Sequence, residues 1–342
     1  MRKKLIIGTG SITLVLVLVL VLVVGAGVQA NSEEFSPIVS TQWLEDNLSD
    51  PDLVILDVRT PFEYPGGHIP GAVNSYEGNW YINDPVPPDF TCFNPLGPDF
   101  PCMELPSEGD IVANIELAGI TDDSKVVIVS RTVGHELFGP AEYAVAGATR
   151  VAVTLIYAGI ENVAILDGGY DKWANEERPV DYDTVTPTTS TYTADVNEAM
   201  FVSMDYVQER IGRILRSKIV DSRDADVYFG VTNEPWAQYP GHIPGAKSLP
   251  VPWLWNAGAN YITYKDTAVL EDMAAGVVGR QVCGWLGCFP REIIVYCGVG
   301  GYASTNYFVL SEVLGYENVK IYDGSAQEWT WADNPVVSYE WE

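Results

Sequence analysis

The sequence predicts an α/β protein built as two tandem units, each a parallel sheet with helices on both faces. Three observations carry this. Short apolar runs such as "KVVIV" at Lys125–Val129 and "EIIVY" at Glu292–Tyr296 alternate with stretches of helical character. Uninterrupted apolar runs of that length mark strands buried on both faces. The whole pattern then occurs twice, and self-similarity of this kind signals a duplicated architecture. Between the copies lies "DYDTVTPTTSTYTADVN", a Thr/Pro/Asp-rich stretch of linker composition.

Taken in order, residues 1–30 read as a targeting segment. Arg2, Lys3 and Lys4 precede a long apolar run, and "VQA" before Asn31 offers a small-residue cleavage site. The run from Leu5 to Val24 is long enough to stay as a membrane anchor, so both outcomes stand, and each places the rest of the chain outside the cytoplasm, secreted, periplasmic or anchored facing outward. The first domain is expected over 31–183, the linker over 184–191 and the second domain over 192–342. The copies share an apolar strand, an Asp-x-Arg (Asp57 and Arg59; Asp221 and Arg223), and then "GHIPGA". Next come the strands "KVVIVS" and "EIIVYC", each running into a Gly-containing loop and a helix. Last are "GIENVAILDGGYDKW" and "GYENVKIYDGSAQEW", each a strand, an Asp-Gly turn and a helix start carrying Trp173 or Trp329.

Composition removes some functions. With a net charge of −27, the chain is a poor ligand for a phosphate backbone, so no nucleic-acid partner is expected. Contact with a membrane is expected only through the N-terminal segment. Five cysteines in an exported chain imply pairing with one left over. Cys92 and Cys102 flank a Pro-rich loop, Cys283 and Cys288 flank "GWLG", and each pair can close a disulfide. The first closure contributes about 3 kcal/mol in the chain-entropy model. Their spacings and the presence of only three histidines argue against zinc, and no metal or organic cofactor is expected. Cys297 is then the unpaired thiol. It ends a strand, where ligands bind in open α/β sheets.

Taken together, "GHIPGA" in both halves, "DSR" at Asp221–Arg223, the cysteine-led loop and "YDGSAQEW" resemble the rhodanese superfamily. More narrowly they are similar to its tandem-domain thiosulfate and 3-mercaptopyruvate sulfurtransferases, from about Pro37 onward. The resemblance implies two rhodanese-like domains, the first inactive and the second catalytic. Ser130 stands where the nucleophile would be in the first copy, and a hydroxyl cannot hold a persulfide.

The residues themselves suit sulfur transfer. A thiol near its reference pKa is scarcely ionised at neutral pH and needs help. Gly298, Gly300 and Gly301 let successive N–H groups turn inward as an anion nest around Cys297, and a helix expected near Ala303 adds its N-terminal dipole. The resemblance makes Arg223 the contact for a substrate anion, a role its planar fork suits; a pairing with Asp224 is the structural alternative. Asp221 is expected to position the loop, and His242 to hold a turn. Trp253 and Trp255 are candidate cleft walls. The loop departs from the family at Val299 and Tyr302, where the mercaptopyruvate type carries Ser and Thr, and it lacks the basic residues of the thiosulfate type.

The expected function is therefore an exported sulfurtransferase. It moves sulfane sulfur from thiosulfate or 3-mercaptopyruvate to cyanide or a thiol through a Cys297 persulfide. The alternatives are a non-catalytic sulfur-binding or sensing module and an extracytoplasmic thiol–disulfide protein. Peptide mapping without reductant is expected to show Cys92–Cys102 and Cys283–Cys288 linked and Cys297 free; a free Cys92 or Cys283 would overturn the assignment.

Overall fold

The computed structural model describes residues 35–82, 102–136, 139–213, 216–258, 260–284 and 287–339. The targeting segment and Cys92 lie outside these residues. The first half runs β1 (Ile38–Val39), α1 (Thr41–Asn47), β2 (Leu53–Asp57), β3 (Val73–Asn74), α2 (Glu108–Leu117), β4 (Lys125–Val129), α3 (Ala141–Tyr157), β5 (Val163–Leu166) and α4 (Gly169–Asn175). The second runs β6 (Phe201–Val202), α5 (Met204–Gln208), β7 (Ser217–Asp221), α6 (Ala225–Tyr228), β8 (Lys247–Ser248), β9 (Trp255–Ala257), β10 (Ile262–Tyr264), α7 (Thr267–Val278), β11 (Val282–Gly284), β12 (Gly287–Phe289), β13 (Glu292–Tyr296), α8 (Gly301–Phe308), β14 (Val319–Tyr322) and α9 (Ser325–Trp331).

Each half is a five-stranded parallel sheet, in the order β1-β5-β4-β2-β3 and then β6-β14-β13-β7-β8. The central strands β4 and β13 are the two uninterrupted apolar runs. Alternate residues of β13 serve opposite faces, as the pleat requires. Ile293 and Val295 enter a core that runs through both halves, whereas Ile294 and Tyr296 enter one confined to the second. Two antiparallel hairpins, β9–β10 and β11–β12, add to the expected parallel sheets. In the second hairpin Cys283 stands opposite Cys288, and the expected disulfide forms. Cys102 is also disulfide-bonded. The linker is tied down on the first half: Ser190 donates its N–H to Glu116 and its hydroxyl to the Ile120 carbonyl.

Helices α3 and α8 are counterparts in the repeat and pack against each other where the sheets meet. Thr149 and Thr305 share a hydrogen bond of 2.7 Å across that contact. Arg150, wholly buried on α3, makes a two-pronged ion pair with Asp323 beyond β14, at 2.6 and 2.9 Å. Each half also reaches over the other. Ile262 of β10 donates to the Thr132 carbonyl and Tyr264 to Asp167. In return, Leu105 donates to Asp323.

Removing one member of a buried ion pair leaves the other charge uncompensated. Arg150→Ala is therefore expected to cost about 3–5 kcal/mol of stability, read as a lower urea midpoint. The double variant Arg150→Met/Asp323→Leu is expected to recover part of that loss.

Candidate active site

β13 delivers Cys297 to the C-terminal end of its sheet. The chain then turns through Gly298–Gly300 into α8, which begins at Gly301, two residues earlier than expected. Gly300 caps the helix in the left-handed region, with φ +98°, where a side chain is strained. Space forbids a side chain as well: a Cβ there would lie 2.8 Å from Asp323 Oδ1 and 3.3 Å from Arg150 Nη1. This turn aims the Gly300 N–H at Cys297 Sγ, at 3.0 Å. The N–H groups of Ala303 and Val299 also act on the sulfur. The loop is clamped from behind by the "DGSA" turn. Ser325 Oγ accepts from the Cys297 N–H at 3.1 Å, while Ala326 and Gln327 donate to the carbonyls of Cys297 and Gly298.

The sulfur itself is buried, at 3% exposure. Burial pushes its pKa above the ordinary thiol value, and the Glu234 charge adds to that push. The amides of Ala303, Val299 and Gly300 pull the other way without overcoming burial. The resting group at neutral pH is therefore the thiol. Trp236, Ala237, Cys102 and Val299 pack as one apolar cluster at the loop. Gly298 accommodates this close approach: a Cβ there would fall 2.1 Å from Trp236 Nε1 and 2.7 Å from Glu234 Oε2. Met103 lies against Gly301, its Cε 3.1 Å from where a Cβ would stand.

The guanidinium expected to hold a substrate anion is turned inward instead. Arg223 is 2% exposed; its Nε and Nη2 bind Asp221 at 2.9 and 2.6 Å, and Nη2 also binds the Gly241 carbonyl at 2.8 Å. Its Nη1 faces Glu234 at 3.3 Å. The partner is thus Asp221, two residues upstream, and not Asp224. Asp221 also accepts the Tyr296 hydroxyl at 2.6 Å. His242 stacks on Tyr228 at 3.8 Å, with Nδ1 on that residue's carbonyl at 2.8 Å, a turn-holding role. Trp255 is buried with its ring edge-on to Tyr302, while Trp253 is exposed.

The first half repeats this framework around Ser130. Arg59 binds Asp57 and the Gly67 carbonyl, and His68 stacks on Tyr64. There, however, the β9–β10 hairpin seals the loop, through the Ile262 and Tyr264 bonds described above. Glu234, Trp236, Met103 and Arg150 are the site residues that sequence reasoning missed. None carried a local signal, because each reaches Cys297 only through the fold.

A cysteine on a strand-end loop with converging amides, in a duplicated parallel α/β frame, is the arrangement found here. Residues 40–176 and 203–332 match the rhodanese-like domain, and the chain belongs to that family. It is 28% identical over 310 residues to a protein of Synechococcus elongatus named "Putative thiosulfate sulfurtransferase", covering 90% of this chain and 87% of that one. It is 31% identical over 303 residues to one of the same name in Mycolicibacterium smegmatis, with 85% and 94% covered. It is 29% identical over 306 residues to the sulfur carrier protein TtuD of Thermus thermophilus, with 85% and 93% covered. Among solved structures, the 3-mercaptopyruvate sulfurtransferase SseA of Escherichia coli superposes with a TM-score of 0.64 at 24% identity, over 85% of this chain and 98% of that one. The ergothioneine-bound enzyme EanB gives 0.70 at 22% identity, over 90% and 71%. Family membership and the relatives' names support sulfurtransferase function.

Three part-buried carboxyls with strongly raised values dominate the pH response. Burial raises Glu77 to about 8, and Glu104 and Glu234 to about 7, from an ordinary value of 4.5. The folded state thus holds protons that the unfolded state has lost, so stability falls as pH rises from about 4.5 through 7 to 8. His242, lowered first by burial, works in the opposite sense but is one group against three. A lower melting temperature at pH 8 than at pH 5 is expected, with a shallower slope in Glu234→Gln. A melting temperature that rises across this window would contradict the assignment.

Proposed function

We propose that this protein is a sulfurtransferase that carries sulfane sulfur as a Cys297 persulfide. The observation that carries the reading is the Gly300 N–H on Cys297 Sγ, within a loop whose amides converge on sulfur. Preorganised donors of this kind stabilise an anion that forms during reaction. The Cys297 thiol gives up its proton to solvent, and the resulting thiolate attacks the sulfane sulfur of the donor. With thiosulfate the S–S bond breaks and sulfite leaves with the electron pair. With 3-mercaptopyruvate the C–S bond breaks, and the carbon takes the thiol proton to give pyruvate. Cyanide then removes the outer sulfur as thiocyanate, or an acceptor thiol removes it as a persulfide; either way Cys297 returns as thiolate.

Mercaptopyruvate, with one fewer negative charge, is the better donor in this reading, because no unpaired cation among the described residues meets Cys297. The reading places the protein outside the cytoplasm, a location supported by the apolar N-terminal run and the Cys283–Cys288 disulfide. Thiocyanate formation from 3-mercaptopyruvate and cyanide is expected to fall at least about a thousandfold in Cys297→Ser. It is expected to persist in Cys283→Ser/Cys288→Ser. Turnover by Cys297→Ser would refute the persulfide mechanism; sulfur loading without discharge would favour the non-catalytic binding role.

A further inference from the structure

We propose that Met103 is a positioning residue for sulfur transfer, held against the Gly300–Gly301 turn by the Cys102 disulfide. Cys297 then carries sulfur efficiently only while that disulfide is closed. The inference rests on the persulfide-carrier reading and adds the condition under which the site works. It starts from a strained backbone. Five non-glycine residues among those described stand at positive φ, and Met103, at +56°, is the one with a long apolar side chain. An L-residue of that kind takes the left-handed region only where its surroundings force it there.

The forcing contacts lie on both sides of it. Immediately before Met103, Cys102 is disulfide-bonded and buried, and it packs in one apolar cluster with Val299 of the loop, Trp236 and Ala237. Beyond Met103, the Glu104 carbonyl accepts the Ile82 N–H at 2.8 Å, and the Leu105 N–H donates to Asp323 Oδ2 at 2.7 Å. Asp323 is the same carboxylate whose Oδ1 fills the space behind Gly300. Between these ties Met103 touches the turn at two places. Its carbonyl oxygen lies 3.2 Å from where a Gly300 Cβ would stand. Its Sδ and Cε lie 3.3 and 3.1 Å from the corresponding point at Gly301. Gly300 is the residue whose N–H meets Cys297 Sγ. A strained segment of the first half therefore backs the amide that is trained on sulfur.

Opening the disulfide removes the tie on one side. Met103 can then leave the left-handed region, and the turn loses the contact that fixes it. The step is exchange with a dithiol reductant. One thiolate of the dithiol attacks a sulfur of the Cys102 disulfide, whose S–S bond breaks to form a mixed disulfide. The second thiolate displaces the remaining protein sulfur, and the dithiol leaves as a cyclic disulfide. Its two protons end on the two protein thiols.

The test is made in the Cys283→Ser/Cys288→Ser background, which leaves Cys102 with Cys92 as its expected partner. Closed protein is compared with Cys92→Ser/Cys102→Ala by deuterium exchange and by thiocyanate formation from 3-mercaptopyruvate and cyanide. In the open variant, exchange in the peptide covering Gly298–Ala303 is expected to be on the order of tenfold faster, with α7 unchanged. Turnover is expected to be on the order of tenfold lower. Met103→Gly can adopt this φ freely but cannot touch Gly301 with a side chain. It is expected to lose turnover likewise, with the disulfide closed and no fall in melting temperature. Equal loop exchange and turnover in the open and closed forms would overturn the proposal. So would exchange that quickens in α7 as much as in the loop, or full turnover in Met103→Gly. Failure of the carrier reading shows differently: no thiocyanate forms even in closed protein, while the difference in loop exchange persists.

Discussion

One backbone turn governs this molecule. At Gly300 the chain enters the left-handed region, and only there can its N–H point back at the sulfur of Cys297. The turn is wedged between domains: Asp323 and Arg150 fill the space that a Cβ would need. Arg150 belongs to the first half, which gives that half a physical part in shaping the Cys297 loop of the second. The ion pair is bought with desolvation, and its fork geometry recovers the cost only because both nitrogens find a carboxylate oxygen.

The duplicated frame separates what is structural from what is chemical. Asp-x-Arg, the glycine carbonyl it holds, and the histidine stacked on a tyrosine occur in both halves with nearly the same distances. Because these features recur around Ser130, they belong to the framework common to both halves. What differs is chemical: a thiol in place of a hydroxyl, a glycine turn with converging amides, and the Glu234–Trp236 segment over the loop. The halves also cover one another unequally, with β9–β10 closing the Ser130 loop and the Met103–Leu105 stretch bracing the Cys297 loop.

Much of this was legible in the sequence where the signal is local. "KVVIV" and "EIIVY" are central strands because uninterrupted apolar runs fit only a doubly covered sheet position. Cys283 and Cys288 pair because a tight hairpin sets them opposite each other. Arg223 is expected from the sequence as an anion contact; the structure shows its guanidinium held by a buried carboxylate two residues upstream, a pairing the local pattern does not announce. Glu234 and Arg150 were silent, because their meaning depends on contacts with the loop that no local pattern encodes.

The claim that Cys297 is the seat of sulfur transfer is tested most directly by locating the sulfur. The protein would be treated with 3-mercaptopyruvate, freed of donor, and digested for tandem mass spectrometry without reductant. The account predicts one added sulfur atom on the peptide containing Cys297 and none elsewhere, and its loss on brief exposure to cyanide. Added sulfur on Cys283 or Cys288, or an unmodified Cys297 in protein that is turning over, would contradict it.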